Sequence, residues 1–213
     1  MLAPFPFALH ASTGCPAHAE LAISLASAFH EVDAVAVDVA IDRMAEDLCL
    51  PESGRPLGEL LALADSLLPK PPIKRREGTD ALLLDKALAR GEAHPLVAAI
   101  ATAEAARRRG VDVGIVSNGS DHCIAHHGVA VPLVLRVESR GLVDAHHLHP
   151  PLTWRCAHEA CGLTLDALEA RWPRRGRPDL ALLAAQLRLF LPLEDDSKRI
   201  AERRLARVRA RFN

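Results

Sequence analysis

Apolar residues recur at mostly helical intervals along the first third of the chain. Pro51, Gly54 and Gly58 interrupt this pattern and mark turns. We therefore predict an N-terminal helical segment over residues 1–68. The stretch SLLPKPPIKRREGTD comes next, and its prolines cannot continue a helix because proline lacks the amide donor. This stretch predicts a surface linker over residues 69–79.

Two helices are predicted after the linker, because each has a start signal and a stop signal. The first begins at Asp80, a good N-cap residue, and stops at Gly91. The second is rich in alanine, has Pro95 in its first turn and stops at Gly110. Beyond it come short stretches rich in β-branched residues and separated by turns: VDVGIVS, DHCIAHH, VPLVLRVES and LVDAHH. They predict an antiparallel meander, which completes a core over residues 80–163.

Helical spacing returns over residues 164–213, in the stretches TLDALEARW, DLALLAAQLRLFL and DSKRIAERRLARVRARF. The order of helices, strands and helices indicates an α+β protein. The last stretch is basic and carries one apolar stripe, formed by Ala201, Leu205, Val208 and Phe212. Two interpretations remain open. Either the stripe packs on the domain and its charges are solvated, or the segment binds an acidic partner or RNA.

Composition narrows the function classes. The net charge is −1 and only 3% of residues are aromatic, with no tyrosine, so base stacking and a nucleic-acid role are disfavoured. The five cysteines are an odd number in a chain long enough to bury its own core, which favours a reducing compartment. No apolar stretch approaches the roughly 18 residues of a spanning helix, and no signal pattern opens the chain. We predict a cytoplasmic protein without a membrane partner.

Histidine is concentrated in one part of the chain. Eight of the eleven histidines are His94, His122, His126, His127, His146, His147, His149 and His158. Imidazole is both a proton shuttle near neutral pH and a common metal ligand. The spacing of Cys156 and Cys161 does not match a structural zinc module. The simplest interpretation leaves five of these histidines on solvated strand ends and turns: His126, His127, His146, His147 and His149.

Strand geometry adds a second interpretation for the remaining histidines. Alternate residues of a strand share a face, so His122 and His126 point one way while Cys123 and His127 point the other. Suppose that His122 faces the preceding helix and that Asp144, on a later strand, lies beside it. The carboxylate could then orient the imidazole, as in a nucleophile–base–orienter arrangement.

The order of elements and these residues together resemble a known family, the bacterial SirB-type branch of the transglutaminase-like superfamily. Its members have a papain-related core that is often followed by tetratricopeptide-like helices. The likeness covers roughly residues 17–190 and is carried by ELAISLASAFHEVDAVAVDVAIDRMAEDL, ALARGEAHPLVAAIATAEAARRRGVDVGIVSNGSDHCIAHH and LVDAHHLHPPLTW. It implies a transglutaminase-like core, with one helix packed on an antiparallel sheet and further helices at both ends.

The resemblance also implies a site. Active members keep a nucleophilic cysteine at the start of the core helix, a histidine base on the following strand and an orienting aspartate on the next strand. Carried over, the base is His122 and the aspartate is Asp144, but the nucleophile position near residues 95–97 holds no cysteine. Without a thiolate, acyl transfer through a thioester has no route. The branch often lacks this cysteine, so the favoured function is a pseudoenzyme that serves as a protein-interaction or regulatory module.

A metal site is the alternative. His94 lies just before the expected nucleophile position, so His94, His122 and Asp144, with His146 nearby, are expected to converge in the former cleft. Two histidines and a carboxylate can hold a divalent transition metal with positions left open. Under this interpretation the protein binds a metal or is a metal-dependent hydrolase. Under the favoured interpretation it needs no cofactor, and its protein partner is unknown.

Overall fold

A computed structural model of the chain describes residues 5–52, 54–66 and 78–210. The described residues form an α+β structure with nine helices: α1 (Phe5–Ala11), α2 (His18–Ser27), α3 (Ala34–Glu46), α4 (Pro56–Asp65), α5 (Leu84–Arg90), α6 (Pro95–Arg108), α7 (Ala157–Arg171), α8 (Pro178–Arg188) and α9 (Asp195–Arg209). Within these ranges no helix combines the length and the apolar character that crossing a membrane requires.

The same residues form one antiparallel sheet of five strands: β1 (Val113–Ser117), β2 (His122–His126), β3 (Leu133–Arg136), β4 (Gly141–Asp144) and β5 (Thr153–Arg155). Their order across the sheet is β4-β3-β2-β1-β5. The predicted four-stranded meander is therefore confirmed. β5 is an addition that the sequence did not predict, because three residues are too few to show an alternating pattern.

The helices before the sheet agree with their start and stop signals at most positions. α2, α3 and α4 fall in the predicted N-terminal helical segment, whereas α1 was not predicted. α5 starts at Leu84 rather than Asp80, because a 3-10 turn precedes it and Leu83 is extended. Gly91 ends α5 with a φ of 65°, a conformation that glycine adopts without strain. Most of the predicted linker, residues 69–77, lies outside the described residues.

The core helix α6 lies between the sheet and the N-terminal helices. It contacts β1 and β2 on one side and α2 and α3 on the other. All eleven residues from 96 to 106 are buried, and most of them are alanine. Small side chains allow such close approach on every side. The sheet face towards α6 contributes Ile115, Ile124 and Leu135 to the same apolar cluster.

A second apolar cluster joins the two ends of the chain. Phe7 and Leu21, from α1 and α2, pack with Leu165, Leu168 and Trp172 at α7 and its end. α7 itself runs unbroken through the predicted division between residues 163 and 164. The predicted segments are therefore stretches of sequence that pack against one another across their boundaries.

The basic helix α9 packs its apolar stripe on the rest of the molecule. Ala201, Leu205 and Val208 are buried, and Leu205 and Val208 contact the cluster around Ala185 of α8. This result confirms the packing interpretation for these three positions. Phe212, the fourth member of the predicted stripe, lies outside the described residues.

Candidate functional site

His122 is the first residue of β2 and points to the side of the sheet that α6 covers. It pairs with Ser117 of β1, and the Ser117 Oγ lies 3.0 Å from the His122 Nδ1. The same oxygen accepts a hydrogen bond of 3.0 Å from the backbone N–H of Gly119. The imidazole is thus fixed by a hydroxyl that the neighbouring strand and its turn hold in place.

Burial makes this imidazole a weak base. The side chain of His122 is almost inaccessible, and burial lowers its pKa to about 4. The charge of Asp121 opposes this shift, whereas the nearby Arg155 guanidinium adds to it. His122 is therefore neutral at neutral pH, and its pKa is well below the range that suits a general base there.

His94 is the residue that meets His122, as the sequence predicted. It is the N-cap of α6, where its Nδ1 accepts a hydrogen bond of 3.3 Å from the backbone N–H of Leu96. The rings of His94 and His122 lie edge to face, with centroids 5.5 Å apart. The start of the core helix thus faces the histidine of the sheet, but with imidazole in place of a thiol.

Asp144 does not reach this pair, so the expected convergence is corrected. Asp144 lies opposite Leu133 on β3, whereas His122 lies at the other end of the sheet. The register is four residues along the strands and two strands across, so the two Cα atoms are about 16 Å apart. β2 and β4 run in the same direction, and the end of β4 is therefore remote from the start of β2.

Asp144 and His146 form a local turn of their own. The Asp144 Oδ1 accepts a hydrogen bond of 2.9 Å from the backbone N–H of His146 and caps a 3-10 turn, and the His146 side chain is exposed. The four predicted metal ligands therefore divide into two pairs at opposite ends of the sheet. In the part of the chain that the structure describes, no three histidine, cysteine, aspartate or glutamate side chains form a group that could hold a metal ion.

The position beside His122 on the next strand belongs to Val137. Its backbone N–H donates a hydrogen bond of 3.2 Å to the His122 carbonyl, and its side chain is fully buried. An orienting aspartate on the strand after the histidine would be expected at this level. The residue there is apolar, so the arrangement departs from an active transglutaminase-like site at the orienter as well as at the nucleophile.

Two residues that sequence reasoning missed complete the surroundings of His122. Arg155 of β5 donates from Nη2 to the Ser117 carbonyl at 3.1 Å, and the Arg155 carbonyl accepts from the His18 Nε2 at 3.0 Å. Burial lowers the pKa of His18. Ser117 was predictable, because a tight turn after it forces a pairing with His122. Nothing in the sequence signals Arg155 or His18, since their positions depend on the short strand β5.

The loop between β1 and β2 is closed by its own hydrogen bonds. The Asn118 Oδ1 accepts from the backbone N–H groups of Ser120 and Asp121, at 3.1 and 2.8 Å. The Asn118 Nδ2 donates to the Pro150 carbonyl at 2.9 Å, and Asp121 pairs with Arg136 at 2.5 Å. The predicted turn is confirmed. Its polar groups bind one another, which agrees with the prediction that this is not a phosphate loop.

None of the five cysteines lies at the start of α6, and all five are in the described ranges. Cys123 is on the opposite face of β2 from His122, as predicted, and burial raises its pKa to about 12. Burial also raises the pKa of Cys161. Cys15, Cys49 and Cys156 are exposed. The two buried thiols are therefore protonated and unreactive near neutral pH.

A histidine–carboxylate pair does exist, at the far end of β2. The His126 Nε2 lies 2.7 Å from the Glu59 Oε2 of α4, and the His126 Nδ1 accepts from the backbone N–H of Gly128 at 2.9 Å. Because Nδ1 is an acceptor, Nε2 carries the proton and donates to Glu59. The solvated interpretation is wrong for His126, which is buried, and correct for the exposed His127, His146, His147 and His149.

No protein-family model, curated protein or solved structure matches this chain. The resemblance to the transglutaminase-like superfamily therefore stays a prediction from the sequence. Independently of it, the geometry gives an α+β structure in which α6 packs on an antiparallel sheet and its first turn faces His122.

Proposed function

We propose that the chain is a transglutaminase-like protein with a degenerate active site, which serves as a non-catalytic protein-interaction or regulatory module. One observation carries the proposal. The start of α6 presents His94, and not a cysteine, to the buried His122. The element order and the contact between helix start and histidine strand support the resemblance, while the residues at that contact lack the chemistry of acyl transfer.

Each part of a thiol mechanism is weakened in this arrangement. The nucleophile is replaced, and the position for the orienter is Val137. The base, His122, has a pKa of about 4 because it is buried. A general base with such a pKa takes a proton poorly at neutral pH. These three departures are independent of one another and point to the same conclusion.

A serine mechanism receives no support from the Ser117–His122 contact. The Ser117 side chain is completely buried, and its oxygen already bonds both His122 and the Gly119 N–H. A nucleophile must reach a substrate carbonyl, and this hydroxyl has no accessible surface from which to do so. The contact is therefore assigned to packing of the hairpin.

The proposal is tested by assaying the purified chain with chromogenic amide and ester substrates and with amine incorporation into a glutamine peptide. We expect no turnover that iodoacetamide blocks. His122→Gln is the site variant, and His127→Gln, an exposed histidine on the other face of the sheet, is its matched control. Thiol-sensitive turnover that persists in the control and disappears in His122→Gln, with both variants folded by circular dichroism, would overturn the proposal.

A further inference from the structure

A groove lies between the C-terminal half of α7 and the basic helix α9. Its volume is about 360 Å³, within the range of pockets that hold a ligand group. The lining combines charge and apolar surface, from Glu169, Pro173, Arg174, Arg204, Arg207 and Val208. We call this feature the basic groove.

The charge around the basic groove is positive, although the whole chain is almost neutral. Residues 198–213 hold seven Lys and Arg residues against one Glu, a sum of +6, so residues 1–197 sum to −7. Arg171, Arg174 and Arg175 add positive charge from the end of α7 and the turn after it. This separation of charge creates a local field that attracts anions.

The position of α9 against α7 is held by an ion pair at the edge of the groove. The Arg204 Nη1 lies 2.6 Å from the Asp166 Oδ1 of α7, and Arg188 of α8 approaches the same carboxylate at 3.7 Å. One acid is thus shared by two arginines. Arg207, one turn beyond Arg204, is exposed and extends the positive lining.

We propose that the basic groove docks an acidic segment of a partner protein. Arginine matches carboxylates with paired hydrogen bonds, and 22 of the 26 basic residues here are arginine. Pro173 and Val208 provide an apolar floor for one apolar side chain of that segment. The scarcity of aromatic residues disfavours a nucleic acid as the occupant. This inference rests on the proposed interaction function and names its surface and its partner class.

Helix geometry supplies a matched control. Arg207 and Arg209 are two residues apart, so they point about 160° away from each other around α9. Lys198 shares the flank of Arg209, on the other side of the buried stripe from the groove. The side chains of Arg174, Arg207, Lys198 and Arg209 are all exposed. Reversing two of them on either flank changes the net charge equally without touching the core.

The test measures fluorescence anisotropy of a labelled glutamate peptide with one central leucine, at physiological salt. We expect the wild type to bind it and the matching glutamine peptide to stay free. The groove variant Arg174→Glu/Arg207→Glu should weaken binding at least about tenfold, because charged anchors are reversed. The control Lys198→Glu/Arg209→Glu should change it by no more than about twofold to threefold.

Four results would overturn the inference: no binding of the glutamate peptide by the wild type, equal losses in the two double variants, tighter binding of single-stranded DNA of the same length, or self-association that the groove variant abolishes. The last result would make a second copy of the chain the occupant. None of them bears on the enzymatic assay, so a failure of this inference is distinguishable from a failure of the proposed function.

Discussion

His122 and His126 make an instructive pair. They lie on the same strand and the same face, four residues apart, and both are buried. His122 has a serine hydroxyl and a second imidazole as neighbours, whereas His126 donates to the carboxylate of Glu59. The histidine–carboxylate pair, which catalytic sites use, is thus at the end of β2 away from the start of α6. The role of a buried histidine depends on which element meets it, and here helix α4, not a strand, supplies the acid.

The largest expected effect concerns the His122 end and pH. Burial lowers the pKa of His122 from the ordinary value of 6.5 to about 4, so the unfolded chain takes up a proton in this interval and the folded chain does not. The stabilisation is full above pH 6.5 and is lost as the pH falls towards 4, by about 3 kcal/mol over the whole interval. Urea unfolding between pH 4 and pH 7 should show a flatter pH dependence in His122→Gln. Equal slopes in the two proteins would contradict the assignment.

The next effect concerns the His126 end. Glu59→Ala removes the acceptor of a buried N–H group and should lower the free energy of unfolding by about 2 kcal/mol. Glu59→Gln keeps an acceptor and should lower it by about 1 kcal/mol. Denaturant unfolding gives both values. Glu46→Ala, at an exposed glutamate of α3, is the control and should change little. Equal effects at Glu59 and Glu46 would show that the pair contributes nothing.

A smaller effect is expected from Ser117. Ser117→Ala removes the hydroxyl that contacts both His122 and the Gly119 N–H, and should lower the free energy of unfolding by about 1 kcal/mol. The value should stay below that of Glu59→Ala, since no carboxylate is involved. Urea denaturation of the two variants side by side measures the difference. A larger loss at Ser117 would reverse the comparison between the two ends of the strand.

The smallest effect is expected at Asp144. Asp144→Ala removes one cap of a 3-10 turn and should reduce stability by less than about 1 kcal/mol. It should leave the titration of His122 unchanged, because the two residues lie at opposite ends of the sheet. Nuclear magnetic resonance of the imidazole resonances provides the measurement. A shift of the His122 midpoint in this variant would restore Asp144 as its orienter.

Local signals in the sequence predicted much of the fold. Pro95 and Gly91 mark helix ends through their own backbone preferences, and the turn at Asn118 separates two strands that pair as expected. Such signals depend on a few neighbouring residues. They are readable without knowledge of the remaining chain.

The candidate site was only partly predictable, because it depends on distant residues. The meeting of His94 and His122 followed from the helix start and the strand face. The placement of Asp144 required counting the reversals of the sheet, since each hairpin changes the end at which a residue lies. The pairing of His126 with Glu59 joins residues 67 positions apart, and no local pattern reports it.

The buried helix α6 has a consequence for how the molecule loses its structure. Since α2, α3, β1 and β2 all contact it, neither the N-terminal helices nor the sheet can separate without exposing the alanine surface between them. These elements are therefore expected to unfold in a single cooperative transition. A fragment that begins at residue 80 would leave one flank of α6 in water and would associate with other chains, whereas α9, seated on one side only, is the part that can detach first.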